Sequence, residues 1–329
     1  MAAPTTCTKH FTTEAGTTYT YDYLPAKGGN STVLFLHGFP STRDDWHHQF
    51  DFLSSAGYGV IAPDMLGFGD SDRPTDPAAF RTKPLTNDII SLLDAEGLDS
   101  VVGVGHDYGS DFLSRLYYYH QDRFERLAFL SVGYSPAGYR VDVDAINAAS
   151  LAASGFTQFG YWYFMDAYDG APVIAENLES FYSIIYTPDA ASWPSSFAHI
   201  GGLRSWLTNG TNIGPVASWD TQAHKDNWMR LFGRDDAMES ALGIYRRLMR
   251  GINAADEAGL DPAAATVKVP VLVIGGSRDA VTPAAWAVAN TRPFAVAGIQ
   301  HYAVDAGHWV QMERAGEVNS ALLAFVQGR

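Results

Sequence analysis

The feature that most constrains this chain is a set of short, continuous apolar runs, each closed by Gly, Pro or Asp: Val33–Leu36, Val60–Ala62, Ser100–Val104, Leu127–Val132 and Val271–Ile274, with a weaker one near Ala303-Val304. Runs of this length without polar alternation read as strands buried on both faces. Helical stretches such as Leu85–Leu93, Gly109–Tyr119 and Ala284–Ala289 lie between them. Strand and helix in alternation imply a mostly parallel sheet with helices on both faces, an α/β architecture. A hairpin precedes it, with His10–Thr13 and Thr18–Leu24 alternating around Glu14-Ala15-Gly16. The rhythm stops after about Pro136 and resumes after about Asp261. The expected division is therefore an α/β core in two parts, 1–136 and 261–329, interrupted by a helical cap or lid over 137–260. Trp162, Trp193, Trp206, Trp219 and Trp228 fall in that insert, most of them expected in its core.

Composition narrows the function classes. With 22 Lys+Arg against 36 Asp+Glu the formal charge is −14, which argues against nucleic acid as a partner because such a protein needs a basic face. The lone Cys7 permits neither an internal disulfide nor a CxxC pair. Met1–His10 has no apolar core of the kind an export signal needs, and no stretch approaches the roughly twenty apolar residues of a membrane span. The expectation is a cytoplasmic protein with no membrane partner. Asn30-Ser31-Thr32 and Asn209-Gly210-Thr211 fit the glycosylation pattern but read as loop residues without such a signal.

The most informative stretch is Val101-Val102-Gly103-Val104-Gly105-His106-Asp107-Tyr108-Gly109-Ser110. An apolar strand runs into a helix through a turn so sharp that only small residues fit beside the central one, here Gly105, Gly109 and Ser110, and the central side chain is pushed out over the sheet edge. That side chain is Asp107. A carboxylate attacking an sp³ carbon forms an alkyl ester of the protein, which water must then cleave. Cleavage needs a general base, a group to orient it, and donors for the developing oxyanion. A simpler role for Asp107 is a helix N-cap. Gly103-Val104-Gly105 is one residue off a dinucleotide fingerprint, lacks the acidic residue such a site needs, and reads as part of the turn. His106 is expected to point away and pack.

The base candidate is His308, in Asp305-Ala306-Gly307-His308-Trp309, oriented by Asp279 just past a strand end, with Asp305 as a weaker rival. His10, His47, His48, His120, His199, His224 and His301 lack such a setting and read as surface or core histidines. The backbone N–H groups of Phe39, in Leu36-His37-Gly38-Phe39-Pro40, and of Tyr108 are the candidate oxyanion donors, with a cis bond before Pro40 as a further hypothesis. No metal-site spacing such as HExxH occurs.

With these residues in place the chain resembles the soluble epoxide hydrolases of the α/β-hydrolase fold over nearly its whole length. The matching motifs are His37-Gly38-Phe39-Pro40 followed by Trp46-His47-His48-Gln49, then Tyr58–Asp64, Gly67-Phe68-Gly69-Asp70-Ser71-Asp72-Arg73-Pro74, and Gly105-His106-Asp107-Tyr108-Gly109. The resemblance implies an enzyme that needs no cofactor and takes a small apolar epoxide and water to a vicinal diol. It also implies two lid tyrosines that donate to the epoxide oxygen. Tyr245 resembles the second of them; Tyr161 resembles the first, with Tyr163 two residues away as an alternative. His37, Pro40, Trp162 and Trp309 are expected at the pocket wall. Where the family more commonly has Trp after the nucleophile, this chain has Tyr108. Haloalkane dehalogenases share the Asp nucleophile but typically carry Trp in that slot and Asn or Trp after the His-Gly pair, whereas this chain has Phe39. Fluoroacetate dehalogenases place Arg after the nucleophile, and here the nearest downstream guanidinium is Arg115. A haloalkane or haloacid dehalogenase, and a non-catalytic small-molecule-binding protein of the same fold, are the alternatives. The particular epoxide and the oligomeric state are left open.

Overall fold

The computed structural model describes residues 7–209 and 212–329. Residues 1–6, which belong to the segment read for an export signal, and Gly210 and Thr211 of the second glycosylation pattern lie outside them. Among the described residues eight strands form one sheet: β1 (Cys7–Thr12), β2 (Thr18–Leu24), β3 (Thr32–Leu36), β4 (Gly59–Pro63), β5 (Val101–His106), β6 (Phe124–Leu130), β7 (Val271–Gly276) and β8 (Ile299–Val304). Their order is β1-β2-β4-β3-β5-β6-β7-β8. The hairpin β1/β2 and the β2/β4 pair are antiparallel, and from β4 to β8 every pair is parallel.

Period-two alternation sorts the apolar runs into two cores. Val33, Phe35, Val102, Val104, Ala128, Leu130, Leu272 and Ile274 face one side, packed with Phe50 and Leu53 of helix His47–Ser55 and Val318, Leu322 and Phe325 of helix Ala315–Val326. Leu34, Leu36, Val101, Leu127, Phe129, Val271 and Val273 face the other, against Ile89 and Leu92 of helix Thr82–Ala95 and Phe112 and Leu116 of helix Tyr108–Tyr119. The run near Ala303-Val304 departs from the expectation of burial on both faces. As the last strand in the sheet, β8 has a neighbour on one side only, and Gln300–Ala303 are exposed.

Between β6 and β7 the described chain is helical or irregular, from helix Val143–Ser154 to helix Ala254–Glu257. Trp162, Trp193 and Trp228 are buried there, and Trp206 and Trp219 half-buried. This segment is joined to the sheet by specific bonds: Trp228 Nε1 donates to the Pro40 carbonyl at 2.7 Å, the Tyr186 hydroxyl to the same oxygen at 3.2 Å, and Arg247 to Asp111 at 2.8 Å. Among the described residues no helix is long and apolar enough to cross a membrane.

Candidate active site

The loops that follow β3, β5, β7 and β8 converge at one edge of the sheet, the carboxyl ends of parallel strands, where open α/β sheets form their clefts. Asp107 sits between β5 and helix Tyr108–Tyr119 at φ 52°, ψ −119°, a backbone conformation an L-residue holds only when its surroundings impose it. Here they do. A Cβ on Gly109 would stand 2.0 Å from the Leu36 carbonyl oxygen, and one on Gly38 2.6 Å from Asp107 Cβ, so the elbow closes only with glycine at both places. The Asp107 side chain makes no capping bond to its helix, which removes the N-cap role. Its Oδ1 accepts from the Phe39 N–H at 3.0 Å, and its Oδ2 lies 3.5 Å from His308 Nε2. Tyr108, the other expected donor, opens the helix directly after it, and the Phe39-Pro40 bond is cis.

His308 Nδ1 is 2.7 Å from Asp279 Oδ2. Asp279 also accepts from the N–H groups of Val281 and Thr282, each at 2.9 Å, and from the Thr282 hydroxyl at 2.6 Å. Asp305 turns the other way, exposed and paired with Arg278 at 3.0 Å and Arg314 at 3.2 Å. Burial alone would raise both carboxyls, but the neighbouring imidazole outweighs it: Asp279 is held below its usual range by the His308 charge and hydrogen bond, and Asp107 by the His308 hydrogen bond and charge with help from the Phe39 N–H. Burial would lower His308, yet the two carboxylates lift it to about 10. The resting arrangement is an imidazolium between two anions.

Two groups missed by the sequence reading, Thr282 and Ser131, hold His308 together with His106, which was expected only to pack. Thr282 Oγ1 lies 3.2 Å from His308 Nδ1. The His308 carbonyl accepts from Ser131 Oγ at 2.6 Å and faces His106 Nε2 at 3.0 Å. Burial drives His106 down to about 4, so it sits neutral. Ser131 follows β6 at φ 62°, and no motif in the sequence marks it.

In front of Asp107 lies a cavity of about 470 Å³ whose wall includes Tyr108, Trp162, Ile244, Leu248, Trp286 and Phe294. Tyr161, on helix Tyr161–Asp166, and Tyr245, on helix Gly243–Met249, both line it, their ring centroids 5.9 Å apart. Burial, with the Asp107 charge and other neighbours, raises both phenols far above their usual value, so they are hydroxyl donors at any working pH. Tyr163 does not line the cavity; its hydroxyl bonds Asp144. Of the four positions expected at the pocket wall, Trp162 lines the cavity and the others do not. His37 is buried behind the loop with Nε2 accepting from the Met65 N–H at 2.9 Å. Pro40 is turned to the two donors from Tyr186 and Trp228, and Trp309 packs between Tyr186 and Trp193.

A second imidazole between two carboxylates lies outside the cavity. His224 Nδ1 is 2.7 Å from Asp220 Oδ1 and Nε2 3.2 Å from Asp45 Oδ1, and Ser41 Oγ donates to the other Asp45 oxygen at 2.6 Å. Burial lowers His224, but its hydrogen bonds to Asp220 and Asp45 and their charges raise it to about 10. The reading as a core histidine stands, with two carboxylates added to it.

Comparison with known proteins agrees with this geometry. Residues 31–315 match the α/β-hydrolase-fold family. The chain is 32% identical to epoxide hydrolase A of Mycobacterium tuberculosis over 91% of each chain, and 29% identical to epoxide hydrolase 2 of Siraitia grosvenorii over 93% of this chain and 94% of that one. Among solved structures it superposes on epoxide hydrolase A from Mycobacterium thermoresistibile with a TM-score of 0.78 at 26% identity, over 98% of this chain and 99% of that one. On an epoxide hydrolase from an endophytic Streptomyces the TM-score is 0.76 at 27% identity, over 98% and 96%. A strained aspartate elbow in a mostly parallel sheet, and these relatives across nine-tenths of the length, lead to one assignment: the chain belongs to the epoxide hydrolase family of the α/β-hydrolase fold.

Proposed function

We propose that the protein hydrolyses an epoxide to a vicinal diol through a covalent ester on Asp107. The observation that carries this reading is the carboxylate itself, anionic in an apolar cavity, opposite two tyrosine hydroxyls and in line with a carboxylate-flanked imidazole. Tyr161 and Tyr245 hold the epoxide oxygen. An Asp107 oxygen attacks one ring carbon, the C–O bond breaks, and a tyrosine proton goes to the departing oxygen, leaving a hydroxyalkyl ester and a tyrosinate that must be reprotonated. The ester carries no charge, so His308 loses one of the two anions that keep it protonated. Its proton affinity falls, its proton passes through solvent to the tyrosinate, and the neutral imidazole becomes the base. Water, deprotonated by His308 with Asp279 behind it, adds to the ester carbonyl, and the oxyanion that forms is met by the N–H groups of Phe39 and Tyr108. His308 gives the proton it took from water to the departing alkoxide as the intermediate collapses, which frees the diol, and then takes the proton of the Asp107 carboxyl, restoring carboxylate and imidazolium. On this reading residues 137–260 form a cap over a core made of 1–136 and 261–329, with the tyrosines supplied from the cap.

The dehalogenase readings share Asp107 but lack support elsewhere. Among the described residues no Lys or Arg lines the cavity, and Arg115 is engaged with Asp111 at 2.6 Å and Glu257 at 2.8 Å, so no guanidinium or ammonium group awaits a haloacid carboxylate. Phe39 offers no side-chain donor for a departing halide. A binding protein has no physical need for a strained carboxylate with a base behind it. The test is a product assay with an aryl epoxide, a terminal aliphatic epoxide, a bromoalkane and fluoroacetate, scored for diol and halide, with Asp107→Ala alongside. Diol that disappears in Asp107→Ala is the expected result. Halide without diol, or full activity in Asp107→Ala, overturns the proposal.

A further inference from the structure

The shape of the cavity goes further than the reaction class, on which the following rests. From Asp107 the void runs one way, between the loop after β6, helix Gly243–Met249 and helix Ala284–Thr291, and it opens to solvent past Tyr139, Asn290 and Pro293. At about 470 Å³ it is large enough to enclose a sizeable ligand. The other side of the Asp107, Tyr161 and Tyr245 triangle is filled by aromatic rings. Phe197 packs tilted against Tyr161 at 4.4 Å between centroids and against Trp193 at 5.0 Å, and Trp193 lies 5.6 Å from His308. Phe39 meets Tyr245 at 5.0 Å and is backed by Phe181 at 6.2 Å. These four rings are at most 4% exposed. Beside His308 a second void, bounded by Trp193 and Trp309, has about 10 Å³, the lower limit for one water molecule and too little for a carbon chain.

We infer that the substrate is a terminal epoxide with its bulk on a single ring carbon, one long or aromatic apolar substituent lying in the cavity, and that Phe197, Trp193 and Phe39 with Phe181 behind it exclude a substituent on the other carbon. The two tyrosines fix the epoxide oxygen, so the ring has little freedom to turn. When one carbon points its substituent down the cavity, the other faces the aromatic wall. Packed interiors do not yield space without cost, and an added propyl group there meets side chains with nowhere to go.

Two isomeric epoxyoctanes decide the matter, the terminal one and the one with its ring in mid-chain, because their hydrophobicity is nearly the same and only the distribution of bulk differs. Diol formation from the terminal isomer is expected to exceed that from the mid-chain isomer by at least ~50-fold in kcat/KM, the binding of about three carbons forgone. Phe197→Ala opens the wall and raises the mid-chain isomer by at least ~10-fold; Phe197→Leu, which removes less volume, serves if the alanine variant does not fold. Leu248→Trp, at a half-buried position on the cavity side, lowers the terminal isomer mainly through KM. Equal turnover of the two isomers in the wild type, or a mid-chain rate unmoved by either Phe197 variant, overturns the inference. If neither isomer gives diol, the reaction reading is at fault and tryptophan fluorescence with the two octanediols tests the cavity alone: tighter binding of the terminal diol supports one-sidedness, and equal binding removes it.

Discussion

Two buried imidazoles in this protein have nearly the same surroundings and opposite prospects. His308 lies 2.7 Å from Asp279 and 3.5 Å from Asp107; His224 lies 2.7 Å from Asp220 and 3.2 Å from Asp45. Each is raised to about 10 by its pair of carboxylates. Charge and hydrogen bonding therefore do not distinguish a reactive site from a structural clamp. What differs is the second carboxylate. Asp107 stands on a strained elbow at the floor of a cavity, so an electrophile can reach it and cancel its charge. Asp45 is 1% exposed and tied to Ser41, so its charge is permanent and His224 remains a cation bridging two segments of the chain. The general point is that an imidazole held protonated between two carboxylates becomes a base only where something can take one of those anions away.

The largest effect that can break this comparison is at the two histidines. His308→Gln should lower steady-state turnover by about 10²–10⁴-fold, the usual range for a lost general base, while leaving alkylation intact. The ester should then accumulate, seen by intact mass spectrometry as an increase equal to the substrate mass. His224→Gln should show no such adduct. An unmodified mass in His308→Gln, or trapping in both, would mean that the clusters differ in some other way.

The tyrosines sharpen the same contrast at smaller scale. Tyr161→Phe and Tyr245→Phe each remove a donor to an oxygen gaining negative charge, worth about 10- to 100-fold, and the loss should fall on single-turnover alkylation rather than on ester hydrolysis. Tyr182 is their counterpart at the second cluster, its hydroxyl bonded to Asp220, and Tyr182→Phe should leave both steps near the wild-type rate. Equal slowing in all three would indicate a general loss of packing.

Much of this was legible in the sequence because the elements concerned are local. The buried strands announce themselves as continuous apolar runs, and the elbow does so because sterics at Gly105 and Gly109 leave few alternatives. β8 was less legible: Gln300-His301-Tyr302 has no apolar run, since an edge strand needs none. The site divides similarly. Asp107, His308 and Asp279 sit at strand ends and could be named, as could Tyr161 and Tyr245 through the family resemblance. Ser131 and Thr282 could not, because an isolated hydroxyl carries no signal until the fold brings it to His308. His37, Pro40 and Trp309 were expected at the pocket wall because they neighbour site motifs in sequence, but adjacent side chains point apart, and theirs turn into the packing behind the loops. The Asp220/His224 spacing of four residues was visible; Asp45, 179 positions away, was not.

The smallest effect tests the permanence of the second cluster. A histidine whose folded value is about 10 against about 6.5 in the unfolded chain binds more protons when folded, so its stabilisation is complete below pH ~6.5 and declines as pH rises through about 10. His224→Gln leaves Asp45 and Asp220 buried without their cation, and near neutral pH it should lower Tm by about 5–10 °C. That difference should shrink steadily as the pH is raised toward 10, where the wild type loses the same charge. His224 lies outside the cavity, so the kcat of the folded variant near pH 7 should stay close to that of the wild type. A Tm difference constant across this pH range would mean that His224 is neutral in the folded protein and holds its segment by hydrogen bonds alone, and the likeness between the two clusters would then end at their distances.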